Sequence, residues 1–234
     1  MPRAPLATLA AALSAVLLAG CSGLPPETLV PLHGGEVAAG LSLGVDLDGT
    51  PNPDVGMWAG FGLGRGVDAA VGLDVPMTLM VGGPAAVGLP GKGVLPGLSM
   101  RKTFDNGIGV GVGSGSRFLF LPADSSAAVP SVSTAGVFVT TATPVDQTLQ
   151  GRATLHVGYA EVRRPNAAAT RRGLAVHVAG QLGPAIAMAD TARAVMAIQG
   201  RAGAFVWPHR GLVQGPTLGV TGQVVDVAGP PELD

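Results

Sequence analysis

From Glu36 to Val227 the chain alternates, strand after strand, between a large aliphatic side chain and a small or mildly polar one. Successive side chains of a β-strand point to opposite sides, so a period of two predicts strands with two unlike faces. In Glu36–Asp48, Val37, Ala39, Leu41, Leu43, Val45 and Leu47 interleave with Ala38, Gly40, Ser42, Gly44 and Asp46. The pattern recurs in Asp54–Arg65, Val67–Met80, Gly93–Phe104 and Ile108–Phe120, and more weakly in Ala135–Thr143. It is clearest in Leu149–Ala160, where Leu149, Ala153, Leu155, Val157 and Tyr159 oppose Gln150, Arg152, Thr154, His156 and Gly158. Gly173–Gly183, Ala192–Val206 and Leu212–Val225 complete about ten strands.

The connections alternate as well. Arg65-Gly66 and Asp105-Asn106-Gly107 read as tight hairpin turns, the second with the Asn-Gly pair that accepts positive φ. Thr143–Thr148 and Pro184–Thr191 are somewhat longer. The intervening set is mostly long: Val81–Lys92, Leu121–Thr134 and Glu161–Arg172, with Gly49–Pro53 and Trp207–Gly211 as shorter members. Short turns on one rim and long loops on the other predict an up-and-down barrel. Ten strands is the first count and eight the second, because Ala135–Thr143 and the last strand are weak. Hairpins recurring every ~40 residues also suit propeller blades, but no blade motif recurs and each unit holds two strands, not four.

Periodicity alone does not say which face is inside, and here composition decides. Only 12% of residues are charged, against roughly 25% in an ordinary soluble domain. The small-residue face carries Gly, Ala, Ser and Thr with scattered Asp, Arg, Gln and His, and no lysine; Lys92 falls in a loop and Lys102 in the apolar phase near a turn. A water-facing surface would carry many Lys and Glu. Crowded small residues suit a narrow interior and aliphatic ones suit lipid, where a closed barrel pairs every backbone group. The segments are near the ~9–11 residues that cross a membrane. Composition also excludes disorder. A balance of 14 basic to 15 acidic residues speaks against a nucleic-acid partner. A single cysteine excludes a disulfide scaffold and a cysteine-based zinc site.

These features together resemble the bacterial outer-membrane β-barrel family over about Glu36–Val227. The resemblance implies an all-β, up-and-down antiparallel transmembrane β-barrel with outer-membrane lipid as its surroundings. Phe118, Phe120, Tyr159, Phe205 and Trp207 gather near the long-loop rim as the expected aromatic girdle. The chain departs from the family in ending Gly-Pro-Pro-Glu-Leu-Asp rather than in an aromatic. Ahead of the barrel, residues 1–20 read as a signal peptide: Arg3, an apolar run over Leu6–Leu18, then small residues. Leu18-Ala19-Gly20-Cys21 resembles the bacterial lipobox. That implies cleavage before Cys21 and its lipidation, with palmitate among the acyl chains; Ser22 after it favours onward transfer to the outer membrane. Residues 21–35, with Pro25, Pro26 and Pro31, read as a tether, 36–227 as the barrel and 228–234 as a tail.

Candidate chemistry is sparse. His156 and His177 flank the Glu161–Arg172 loop almost symmetrically and are expected to be cross-strand neighbours, with Arg152 near Gln181. A next hairpin turning near Ala189 would set Arg201 opposite His177 and Gln199 opposite Ala179. Asp46, Asp68 and Asp74 are possible counter-charges. This cluster fills and hydrogen-bonds a narrow interior, lines a pore, or serves a hydrolase or acyltransferase through a lumen histidine. No serine is placed beside either histidine, as nucleophilic catalysis needs. Two histidines without a third ligand make no convincing metal site, and no cofactor is expected. Arg163, Arg164, Arg171 and Arg172 cluster in one loop, where arginine would suit the phosphates of lipopolysaccharide. Function reads as that of a lipid-anchored, non-enzymatic barrel, structural or a narrow pore. The rival is a periplasmic lipoprotein with a soluble lipocalin-like barrel for a small apolar ligand.

Overall fold

The computed structural model describes residues 28, 30–46, 53–76, 97–118, 131–143, 148–163, 170–189 and 192–226. The expected signal peptide, Cys21, Arg164 and the tail 228–234 lie outside them. Ten strands run in order: β1 (Val37–Asp46), β2 (Pro53–Gly64), β3 (Val67–Pro76), β4 (Gly97–Thr103), β5 (Ile108–Phe118), β6 (Ser131–Ala142), β7 (Leu149–Arg163), β8 (Arg171–Ala189), β9 (Ala192–Trp207) and β10 (Gly211–Asp226). Each pairs antiparallel with its sequence neighbours, and β1 pairs with β10, so the sheet closes into an up-and-down barrel. The fold is all-β with ten strands, not eight. The weakly patterned sixth segment is a full strand of 12 residues.

Local chemistry sets the hairpins. Arg65 and Gly66 have φ of 53° and 71°, the two positive values of a tight hairpin whose twist matches its strands. Gly107 has φ 78°, and the Asn106 side-chain oxygen accepts the Ile108 N–H at 3.0 Å. With an even strand number, Val37 and Asp226 lie side by side on the short-turn rim, and the longer connections lie on the other.

The burial pattern is inverted relative to a soluble barrel. Leu41, Leu43, Val110, Val112, Val137, Val139, Ile198, Leu218 and Val220 are exposed on the outside. Inside are Asp68, Arg101, Thr140, Gln150, Arg152, Thr154, His156, His177, Gln199, Thr221 and Gln223, all buried. The aliphatic phase faces out, as the composition predicts.

One feature was not legible as such. The described end of the tether folds into the barrel mouth. Thr28, Val30 and Leu32 are almost wholly buried. Val30 and Leu32 join Ala38 of β1, Val195 and Ala197 of β9 and Val225 of β10 in one apolar cluster, with Trp58 and Ala185 against it. A turn at Gly34-Gly35 reverses the chain into β1: Gly35 has φ 82°, Glu36 N–H donates to the His33 carbonyl at 3.1 Å, and His33 N–H donates to Glu36 Oε2 at 2.7 Å.

Candidate functional site

The polar residues of the lumen are organised in rows that follow the sheet register. One inward row runs through seven strands: Asp68, Arg101, Gly111, Phe138, His156, His177 and Gly203 are successive cross-strand partners. His156 and His177 stand opposite each other as expected, their ring centroids 5.6 Å apart and their planes at 60°. Both are 1% exposed. The His177 ring fits only because its partner on β9 is Gly203; a Cβ there would collide with it. Among the described residues no hydrogen-bond partner meets either His177 nitrogen, and no three His, Cys, Asp or Glu side chains come together as metal ligands.

A second row sets Arg152 opposite Gln181, as expected, and Gln181 opposite Gln199, whose Oε1 accepts from Gln181 Nε2 at 3.4 Å. Here one expectation needs correction. Arg201 faces Ala179, and His177 faces Gly203. The pairings His177–Gly203 and Ala179–Arg201 are centred one residue later than expected, and one residue of shift moves every pairing by two. Arg201 Nε donates instead to Thr217 Oγ1 at 3.3 Å. Of the possible counter-charges, Asp46 and Asp74 hold strand positions opposite Thr217 and Gly56.

Asp68 does meet an arginine, but one that the sequence reading overlooked. Arg101 Nη2 lies 2.6 Å from Asp68 Oδ2, with side chains 2% and 4% exposed, and Arg101 Nε donates to the same oxygen at 3.2 Å. Arg101 shares its phase on β4 with Ser99, opposite to Leu98 and Met100, so the alternation did mark it as inward. Its fork also holds the tether: Nη2 donates to Thr28 Oγ1 at 2.5 Å and Nη1 to the Thr28 carbonyl at 3.4 Å. Asp68 Oδ2 in turn accepts the Leu32 N–H at 3.4 Å.

At the long-loop rim, Arg163 ends β7, Arg171 and Arg172 begin β8, and Arg171 and Arg172 are exposed. Arg172 Nε pairs with Glu161 Oε2 at 2.9 Å. The girdle needs one correction. Tyr159 and Trp207 are exposed as expected, at 49% and 69%, but Phe205 is 4% exposed and packs inward with Val132, Ala160, Ala175 and Val213. A register shift between Leu174 and Ala175 inserts a residue on β9 there, which reverses the phase between Phe205 and Trp207.

No family model matches the chain, and no curated protein matches it in sequence. Among solved structures it is similar to the N-terminal β-barrel domain of OprF from Pseudomonas aeruginosa, at 9% identity and TM-score 0.32, over 83% of this chain and 98% of that one. It is similar to Neisserial surface protein A at 7% identity and TM-score 0.38, over 82% and 94%. The outer membrane protein OprG of Pseudomonas aeruginosa is similar at 10% identity and TM-score 0.30, over 86% and 96%.

Proposed function

We propose that this chain is a non-enzymatic β-barrel of the bacterial outer membrane, anchored also by lipid on Cys21. The observation that carries the reading is the inverted burial: exposed aliphatic side chains cover the outside while ionised and amide groups are buried within. A soluble barrel of lipocalin type would expose that polar set and bury the aliphatic one. Closure by β1 and β10 pairing also meets the demand that no strand edge face lipid. The neighbours of the two histidines along their row are Phe138 and Gly203, which pack the imidazoles and favour a filling role for them. Thr28 lies in the short-turn mouth seven residues after Cys21, a reach of at most about 25 Å of extended chain, so the acyl chains would enter the leaflet at that rim. The arginines at the opposite rim, Arg163, Arg164, Arg171 and Arg172, would meet lipopolysaccharide phosphates.

Membrane fractionation tests this. The protein should resist carbonate extraction and migrate faster on a gel before heating than after. Release from membranes on removal of the lipid anchor alone overturns the reading. Cys21→Ser should abolish labelling by radioactive palmitate; persistent labelling refutes the anchor.

A further inference from the structure

The short-turn mouth is crossed by the chain's own residues 28 and 30–36, hereafter the strap. Its contacts are those of a fitted part. Thr28, Val30 and Leu32 are 0%, 1% and 2% exposed. On one side Arg101 and Asp68 hold the Thr28 hydroxyl, the Thr28 carbonyl and the Leu32 N–H. On the other, Val30 and Leu32 pack with Val195, Ala197 and Val225. The strap therefore spans the mouth from β3–β4 to β9–β10. The wall is cut to admit it: a Cβ on Gly60 would collide with the Thr28 methyl and lie 3.1 Å from Leu32 Cδ1, and one on Gly62 would collide with the His33 carbonyl oxygen.

The lining of the barrel shows why the strap matters. Strands β6 to β9 fill their half of the lumen with Phe138, Arg152, His156, His177 and Gln199. Strands β1 to β5 line the strap with Ala38, Gly60, Ala70, Ser99 and Gly113, and the large side chain they add there, Trp58 of β2, packs against the strap's own apolar cluster. The strap occupies the room that they leave.

We propose that the barrel is a channel for ions and small hydrophilic solutes, held shut by its own strap and opened when the strap leaves the mouth. This rests on the membrane reading above. The latch is the Asp68–Arg101 pair: Arg101 spends its remaining N–H donors on Thr28, and the Asp68 Oδ2 that holds Arg101 also accepts the Leu32 N–H, so its loss frees the strap without removing a strand.

The test is conductance of the full chain in planar bilayers. Carbonate resistance of the same protein in liposomes and the heat-dependent gel shift verify insertion and folding separately. Wild type should be closed most of the time. Arg101→Ala should raise the open fraction by at least about tenfold, the scale of losing charge-assisted hydrogen bonds. In a Cys21→Ser background, Thr28→Cys with Gly60→Cys should form a disulfide that holds the channel closed, and reduction should restore opening. A folded, inserted protein without residues 23–33 that conducts no more than wild type overturns the proposal. So does an open fraction that is the same with the disulfide formed and reduced, which decides the matter should the shortened chain fail to fold. A chain that never inserts sinks the membrane reading and the proposal together, whereas an inserted barrel with a silent strap sinks only the proposal.

Discussion

His177 and Gly203 are cross-strand partners on β8 and β9, and the glycine is the reason the imidazole can lie over the β9 backbone. A Cβ at 203 would fall within the ring, so Gly203→Ala must drive His177 towards His156 or bend β9. Overpacking of this kind costs about 1–3 kcal/mol. The temperature at which the folded gel form is lost should drop. Gly180→Ala on the outer face, where a Cβ meets nothing within 4 Å, should leave it unchanged; equal losses for the two would show that β8 and β9 tolerate no side chain at either place.

The Asp68–Arg101 pair should be strongly non-additive. Each side chain is nearly inaccessible, and removing one partner of a buried pair leaves the other's charge uncompensated, a loss of about 3–5 kcal/mol. Replacing both by residues of similar volume removes both desolvation costs and is often close to neutral. Asp68→Asn and Arg101→Met should each destabilise the barrel far more than the double variant does. Thermal gel-shift midpoints of all four proteins complete the cycle, and simple additivity would mean that the two groups do not depend on each other.

The strands were legible because most carry a clear two-residue period, and the His156–His177 and Arg152–Gln181 pairs followed from a loop flanked symmetrically. Pairing fails where symmetry is broken locally. A turn centred one residue away moved Arg201 from His177 to Ala179, and an inserted residue on β9 turned Trp207 outward while Phe205 kept the inward phase of Gln199 and Gly203. The strap was not legible for a different reason. Pro25, Pro26 and Pro31 give residues 21–35 the composition of a linker, and only Ala38, Val195, Ala197 and Val225, brought together from three strands, make Val30 and Leu32 a core. Arg101 was readable from its phase against Leu98 and Met100, but its role comes from Thr28, which is distant in sequence.

Arg171 and Arg172 should contribute to lipid recognition more than to stability. Arg172 is 60% exposed in its pair with Glu161, and exposed pairs contribute about 0–1 kcal/mol. Arg171→Gln with Arg172→Gln should leave the thermal gel shift nearly unchanged. The same variant should bind less to lipopolysaccharide vesicles, and to a degree that shrinks as salt rises. Undiminished binding at low salt would remove these two side chains from the lipid contact.

Adjacent positions on β10 offer the sharpest test of which side meets lipid. Val220 is 53% exposed and pairs with Leu43, itself 43% exposed, while Thr221 is 4% exposed and pairs with Ser42. If the outer face met water, Val220→Lys would be a surface change within about ±0.5 kcal/mol. In a bilayer a lysine on the lipid face costs about 2–4 kcal/mol near the midplane, and Val220 sits close to the middle of its strand. Val220→Lys should therefore fold in detergent yet insert poorly into liposomes, whereas Val220→Leu should insert as wild type does. Refolding yields scored by carbonate resistance measure this, and a Val220→Lys barrel that inserts as well as Val220→Leu would mean that lipid does not contact this face.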